Sequence, residues 1–375
     1  MYRIIASQIE EFVKNEKKVL VLLSARQVGK TTLLKNSFPD ACFVNIEKGE
    51  YVDIFNKRDV QQINNILTSK GNKSQILILD EIQRLNNPGL TAKVIHDELP
   101  NIKLIISGSS SLEIASKAAE SLAGRKTTFL LFPLTIKERL VQIGKLDKGI
   151  DQYQAEILLS MNFGLYPETI EVTNKENYLL ELVDSTLLKD VFYLNLVKNT
   201  KNLYSLLKLL AYQIGQQVNI SDIAQRLGIA RETVNSYIEI LKQLYIIFTL
   251  PPYTKKRRDE IGKTEKIFFY DLGIRNAIIN DFSPVQYRVD FGNIFENYVV
   301  CELMKLNKYK KLRFNFYYWR TKWGSEVDLV LVKDDEVLAY EIKTRKGVVS
   351  RAFMETYPNA VGKTITLNNL ESILL

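Results

Sequence analysis

The chain has one histidine, His96, and two cysteines, Cys42 and Cys301, among 375 residues. So few soft ligands cannot assemble a zinc site of the usual kind. They also argue against Ser–His and Cys–His hydrolases, and they allow at most a single disulfide. No run approaches 18 consecutive apolar residues, so no membrane-spanning helix is expected. The opening stretch MYRIIASQIEEFVKNEKK is too charged for a secretory leader, and a cytoplasmic location is expected. What chemistry there is must come from Asp, Glu, Lys, Arg, Ser, Thr and bound cations.

The length suggests two to four domains, and 46% hydrophobic residues suffice for real cores. The net charge of +8 favours anionic partners, although a basic surface also serves solubility. Apolar strands are expected at Lys18–Ser24, Ala41–Ile46, Ile76–Leu79 and Lys103–Ser107, with helical patterns between them. That alternation predicts an α/β fold with a parallel sheet covered on both faces. Residues 149–201 read as helical and charged, and residues 203–250 as helical with a different motif. The stretch PPYTKKRRDEIGKTEK then breaks the pattern, and strands mix with helices to the end.

The stretch VLVLLSARQVGKTTLL places a loop between a strand and a helix that opens at Gly29-Lys30-Thr31. This is the context of a P-loop, in which backbone N–H groups and a helix N-terminus hold phosphate oxygens. The candidate nucleotide-binding set is Ser24, Ala25, Arg26, Gln27, Val28, Gly29, Lys30, Thr31 and Thr32. Lys30 would neutralise the β- and γ-phosphates of ATP, and Thr31 would hold Mg²⁺. Ser24 stands where the pattern commonly has glycine, which would make the loop entrance less free to take a positive φ. In ILILDEIQ, Asp80 and Glu81 end an apolar strand, where Asp80 can orient Mg²⁺ and Glu81 can polarise the attacking water. Ser107 and Ser109 in LIISGSSS are candidates to sense the γ-phosphate, or else ordinary helix caps. Arg125 in SLAGRK is a candidate finger reaching a phosphate in cis or from a neighbouring subunit, or a plain surface arginine.

A second motif, VNISDIAQRLGIARETVNSYIEIL, reads as helix–turn–helix. Ser221 is the expected N-cap, Gly228 the turn, and Val234, Tyr237, Ile238 and Leu241 the inward face. Arg231, Glu232, Thr233, Asn235 and Ser236 face outward and are suited to DNA edges or phosphates, with TKKRRDEIGKTEK as a basic wing. Such modules also serve packing and protein contacts.

A third motif, EVDLVLVKDDEVLAYEIK, reads as a hairpin turning symmetrically through Asp334-Asp335 or through Lys333–Glu336. A symmetric turn there sets Asp328 opposite Glu341, with Cβ atoms roughly 4.5–5.5 Å apart, and Lys343 on the same face. A divalent cation would convert the repulsion of the two acids into coordination, with Lys343 activating water or stabilising charge on phosphate. Asp328, Glu341 and Lys343 are thus candidate catalytic residues, with Asp328 and Glu341 as metal ligands. Glu296, on the helical stretch FGNIFENYVVCEL, is a candidate third ligand. The plainer alternative is a half-exposed sheet face with Lys343 in a salt bridge to Glu341.

The segments RQVGKTTLL, LDEIQ, SGSSS, LAGR, FPLTIKE, LYPE, DLGIR, FENYVVCEL and EVDLV…YEIK follow one another in this order. In this the chain resembles prokaryotic AAA-superfamily ATPases whose C-terminal domain of unknown function looks like a PD-(D/E)xK nuclease. The resemblance covers nearly the whole length. It implies a P-loop ATPase core (1–145), a helical lid (146–202), a winged helix-turn-helix (203–280) and a C-terminal restriction-endonuclease-like domain (281–375). It places Lys30 and Thr31 at the Walker A positions, Asp80 and Glu81 at the Walker B positions, and Asp328, Glu341 and Lys343 at the nuclease positions. The expectation is an ATP- and Mg²⁺-dependent protein that engages DNA, with oligomers admitted and no membrane partner. The alternative is a nucleotide-controlled switch that binds protein partners and carries a silent nuclease-like fold.

Overall fold

The computed structural model describes residues 2–69, 74–109, 122–146, 150–184, 199–254 and 264–375. The chain divides into two compact units, Met1–Phe132 with Gln243–Tyr245, and Pro133–Lys242 with Ile246–Leu375.

The first unit is built on strands β1 (Val19–Ser24), β2 (Cys42–Asn45), β3 (Ile76–Asp80), β4 (Lys103–Ser109) and β5 (Lys126–Leu131). They form one sheet in the order β2-β3-β4-β1-β5, with every neighbouring pair parallel. Helices α1 (Ala6–Asn15), α2 (Lys30–Ser37), α3 (Gly49–Lys57), α4 (Val60–Ser69) and α5 (Pro88–Glu98) alternate with the strands. Every residue of β1 is buried, as a central parallel strand demands. Val21, Leu23, Val44, Leu77, Leu79 and Ile106 share one apolar cluster. Each such side chain contributes about 1.5–3 kcal/mol by leaving water. Strand β5 was not among the four strands expected from the sequence. Its residues KTTFLL are mostly half-exposed, because it closes an edge of the sheet, and so it lacks the apolar run that marks a buried strand.

The second unit contains α6 (Ile136–Gln142), α7 (Ile150–Phe163), α8 (Lys175–Leu182), α9 (Thr200–Tyr212), α10 (Ile220–Leu227) and α11 (Arg231–Gln243). An antiparallel pair follows, β6 (Ile247–Leu250) with β7 (Lys266–Phe269). Then come α12 (Leu272–Ile279), α13 (Phe291–Tyr309) and a sheet of β8 (Asn315–Arg320), β9 (Glu326–Lys333), β10 (Glu336–Ile342) and β11 (Val361–Ile365). Its order is β11-β10-β9-β8, with β10 and β11 parallel and the others antiparallel. Helices α14 (Arg351–Thr356) and α15 (Glu371–Leu374) complete it. Glu336 lies opposite Lys333, and Tyr340 opposite Leu329. This is the register expected from a turn at Asp334-Asp335, with Asp334 itself left-handed at φ 50°.

Both cysteines are buried and free. No helix among the described residues is long and apolar enough to cross a membrane.

Candidate functional site

Strand β1 ends at Ser24, which stays in the sheet between Ser109 of β4 and Leu131 of β5. Ser24 does not take a positive φ; the left-handed residues of the loop are Gln27 (φ 57°) and Gly29 (φ 93°). The serine therefore meets no backbone restriction, contrary to the sequence expectation. Its hydroxyl accepts a hydrogen bond from Lys30 Nζ at 2.9 Å, and Ala25 O accepts another at 3.3 Å. Lys30 opens α2 and is buried, so its ammonium is held against the loop it would share with phosphate. Gly29 caps that helix without a side chain, which leaves the helix N-terminus open to an anion. Ala25 and Val28 are buried, Arg26 is half-buried, and Gln27 and Thr32 are exposed.

Thr31 Oγ1 donates to Asp80 Oδ2 at 2.6 Å, across the gap between α2 and the end of β3. Ser107 Oγ donates to the other carboxylate oxygen, Oδ1. Strand order explains the meeting, since β4 lies between β3 and β1. Hard oxygens from Thr31 and Asp80 are a donor set that suits Mg²⁺ held between protein and phosphate. Glu81 follows in the left-handed region at φ 56° and ψ 42°, a conformation costly for a non-glycine residue, and accepts from Gln83 Nε2. Ser107 thus lies beside the Asp80 carboxylate; Ser109 is placed only by its backbone, opposite Ser24.

Arg125 needs correction as a finger in cis. It directly precedes β5, and its carbonyl accepts from Val19 N, at the opposite end of β1 from the P-loop. Six residues of strand, about 17 Å, lie between, beyond the reach of an arginine. Its side chain pairs with Asp97 at 3.2 Å on the surface. Arg3 went unnoticed in the sequence. It is buried and donates to Val28 O at 3.0 Å and to Phe132 O, bracing the P-loop from behind. No local motif signals it, because its partners lie 25 and 129 residues away.

In the second unit, Asp328 is buried and accepts from Ile342 N at 2.8 Å and from Lys343 Nζ at 2.9 Å. Glu341 pairs with the same ammonium at 2.8 Å. The two acids and the lysine thus meet on one face, with Lys343 in a salt bridge to Glu341. Burial raises the pKa of Glu341, with Lys343 opposing and the Asp328 charge adding to the rise. Burial opposes the charge on Lys343, but the bonds to Glu341 and Asp328 outweigh it and raise its pKa. Lys343 is therefore a fixed cation, suited to stabilising negative charge and unsuited to taking a proton from water.

Glu296 does not join them. It pairs at 2.8 Å with Lys266, which also bonds Glu326 at 2.5 Å. Burial is the main cause that pushes Glu296 up to about 7, with Lys266 opposing and the Asp328 and Glu326 charges adding. One cation shared between two acids leaves one of them prone to hold a proton. Among the described residues no group of three or more His, Cys, Asp or Glu is placed to hold a metal ion. The Lys343 ammonium lies between Asp328 Oδ2 and Glu341 Oε1, so a divalent cation at those two oxygens would compete with it. Lys266, read from the sequence as the last residue of a basic wing, is instead the buried first residue of β7. Residues 255–263 of that stretch lie outside the described residues.

Helices α10 and α11 meet at Gly228, left-handed at φ 63°. Val234, Tyr237, Ile238 and Leu241 are buried, while Arg231, Glu232, Asn235 and Ser236 are exposed and Thr233 is half-buried. The N-cap is Asn219 rather than Ser221: its side chain accepts from Ser221 N and Asp222 N.

Three families match the chain in succession: one described as "AAA domain" at residues 16–140, and two described as domains of unknown function, DUF8612 at 155–284 and DUF4143 at 291–366. An uncharacterised protein of Methanocaldococcus jannaschii is 26% identical over 374 residues, spanning 94% of this chain and 80% of its own. One of Haemophilus influenzae is 24% identical over 348 residues, spanning 86% of this chain and 82% of its own. Among solved structures, Cdc6p from Pyrobaculum aerophilum aligns at 13% identity over 76% of this chain and 94% of its own, with a TM-score of 0.29. The match described as "AAA domain" takes in the five-stranded parallel sheet and the loop between β1 and α2.

Proposed function

We propose that this chain binds ATP with Mg²⁺ at the P-loop, hydrolyses it, and uses that cycle to control how it engages DNA. The observation that carries the reading is the hydrogen bond from Thr31 to Asp80 at 2.6 Å, beside Lys30 at the open N-terminus of α2. ATP with its Mg²⁺ supplies the phosphoryl group and the charge that organises the site. Lys30 would neutralise the β- and γ-phosphates, and Thr31 and Asp80 would hold the cation. Ser107 would fix the Asp80 carboxylate, and Glu81 would orient the attacking water. Glu81→Gln separates binding from hydrolysis. It should bind ATP as the native chain does and turn over at least about a hundredfold more slowly. Native turnover in that variant would refute the assignment of Glu81.

DNA engagement is supported by the exposed Arg231, Asn235 and Ser236 of α11, followed by the β6–β7 pair in the manner of a winged helix, and by the net charge of +8. A protein arm in trans, with Arg125 serving a neighbouring subunit, belongs to the same reading.

A second reading concerns the C-terminal unit. Lys343 between Asp328 and Glu341, and Lys266 between Glu296 and Glu326, favour an acid–lysine face that is catalytically silent, in a nucleotide-controlled switch for protein partners. Metal-dependent phosphodiester cleavage is the competing use of the same residues. Plasmid incubated with Mg²⁺ or Mn²⁺ and either the native chain or Asp328→Ala decides. Cleavage lost in the variant supports a nuclease; no cleavage by either supports the silent face.

A further inference from the structure

The chain has two tryptophans, and they occupy opposite environments. Trp319 is 7% exposed and packs edge-on against Phe353, whereas Trp323 is 95% exposed. Trp323 sits in the turn between β8 and β9, and that turn is fastened. Thr321 N donates to Ser325 O at 2.9 Å, Ser325 N donates to Thr321 Oγ1 at 3.1 Å, and Gly324 supplies the left-handed residue at φ 90°. Arg320 reaches Glu326 across its base at 3.5 Å. An indole is thereby held out in water on a closed mount, at the hydration cost of a large apolar face and with no partner in its own unit among the described contacts.

The same end of the sheet gathers cations. Strand β9 begins at Glu326 just after the turn, and the antiparallel β10 ends at Ile342 beside Asp328, with Lys343 next. The chain then folds back over the acid–lysine face. A Cβ on Gly347 would lie 2.8 Å from Lys343 Cγ and 3.1 Å from Glu341 Cγ, and Thr364 Oγ1 holds Gly347 O at 3.0 Å. That fold-back sets the exposed Arg345 and Lys346 next to Lys343 and at the rim of an open cleft that they share with Gly347, Val348, Thr364 and Thr366. The exposed Lys322, Arg345 and Lys346 therefore border one end of one sheet around the exposed Trp323, beside Arg320 and Lys343, which are paired with Glu326 and with Asp328 and Glu341. Five residues of chain from Trp323 to Asp328 span at most about 17 Å.

We infer that this end of the C-terminal sheet binds single-stranded nucleic acid, with the basic residues on the phosphates and Trp323 stacked on an unpaired base. Phosphate neutralisation by a row of Lys and Arg gives affinity without sequence preference, and an exposed aromatic face gives a seat to any base. A duplex keeps its bases stacked and offers nothing to the indole. An acidic peptide would satisfy the cations but not the ring. The inference rests on the reading that the chain engages DNA, and it adds a site and a strand state separate from α11.

Trp319→Phe leaves Trp323 as the sole tryptophan reporter. In that background, titration with a dT oligonucleotide should quench the exposed emission, and rising salt should reverse the quenching. Trp323→Ala should weaken dT binding about five- to hundredfold, Trp323→Phe should restore most of it, and duplex binding should be unchanged by either. Duplex binding together with no quenching of Trp323 by the dT oligonucleotide would overturn this inference alone. Equal quenching by polyglutamate would overturn it in favour of an acidic protein partner. Failure to bind either duplex or single strand at low salt would overturn both it and the DNA reading.

Discussion

Asp80 accepts hydroxyl hydrogen bonds on both oxygens, from Thr31 and from Ser107, so its orientation is set before any cation arrives. Removing one such bond to a charged group costs about 1.5–3 kcal/mol. Ser107→Ala should therefore raise the Mg²⁺ concentration needed for half-maximal ATP turnover on the order of tenfold. A Mg²⁺ titration that superimposes on the native one would contradict this. Lys266 makes the opposite kind of contribution, a buried cation between two acids. Lys266→Met should cost about 3–5 kcal/mol in urea unfolding, since it leaves Glu296 and Glu326 facing each other. The Glu296 pKa gives a pH signature. It is raised from 4.5 to about 7, so between those values the folded chain holds a proton that the unfolded chain releases. The contribution of Glu296 to stability falls as pH rises through that window. The stability of Glu296→Gln relative to native should accordingly increase from pH 4.5 to about 7, and a flat difference would count against the assignment. At this scale the sequence was informative where chemistry is local. Lys30, Thr31, Asp80 and Glu81 sit at strand and helix ends that motif spacing identifies. The Lys266–Glu296 pair and the Arg3 brace join residues distant in the chain, and no periodicity connects them.

Among the elements, the β9–β10 hairpin was legible to the residue, because strand side chains alternate and a turn at Asp334-Asp335 fixes the register. The start of α10 was not. Asn219 and Ser221 are both good caps, and only the structure shows that Asn219 receives the two amide donors. Asn219→Ala should cost about 1 kcal/mol in unfolding, and Ser221→Ala no more than about 0.5 kcal/mol. The reverse order would place the cap where the sequence suggested. Strand β5 escaped notice for a different reason: an edge strand buries little, so its residues need not be apolar. Its placement is what removes Arg125 from its own chain's phosphates, a consequence of topology that no motif carries.

For the whole molecule, a P-loop unit and an acid–lysine unit share a chain with a net charge of +8. If the basic surface engages DNA, counterion release makes the affinity fall steeply as salt rises, and a binding curve insensitive to salt would favour a protein partner instead. Ligand linkage gives a stability readout of nucleotide binding. At a concentration one hundred times its dissociation constant, ATP should stabilise the unit it occupies by about 2.7 kcal/mol, raising its melting temperature in the presence of Mg²⁺. The most direct measurement is calorimetry of ATP with Mg²⁺ on the native chain and on Lys30→Ala, both verified as folded by circular dichroism. The expected result is one saturable binding event on the native chain and none on the variant. Equal heats from both, or no heat from the folded native chain, would contradict a phosphate site at Lys30.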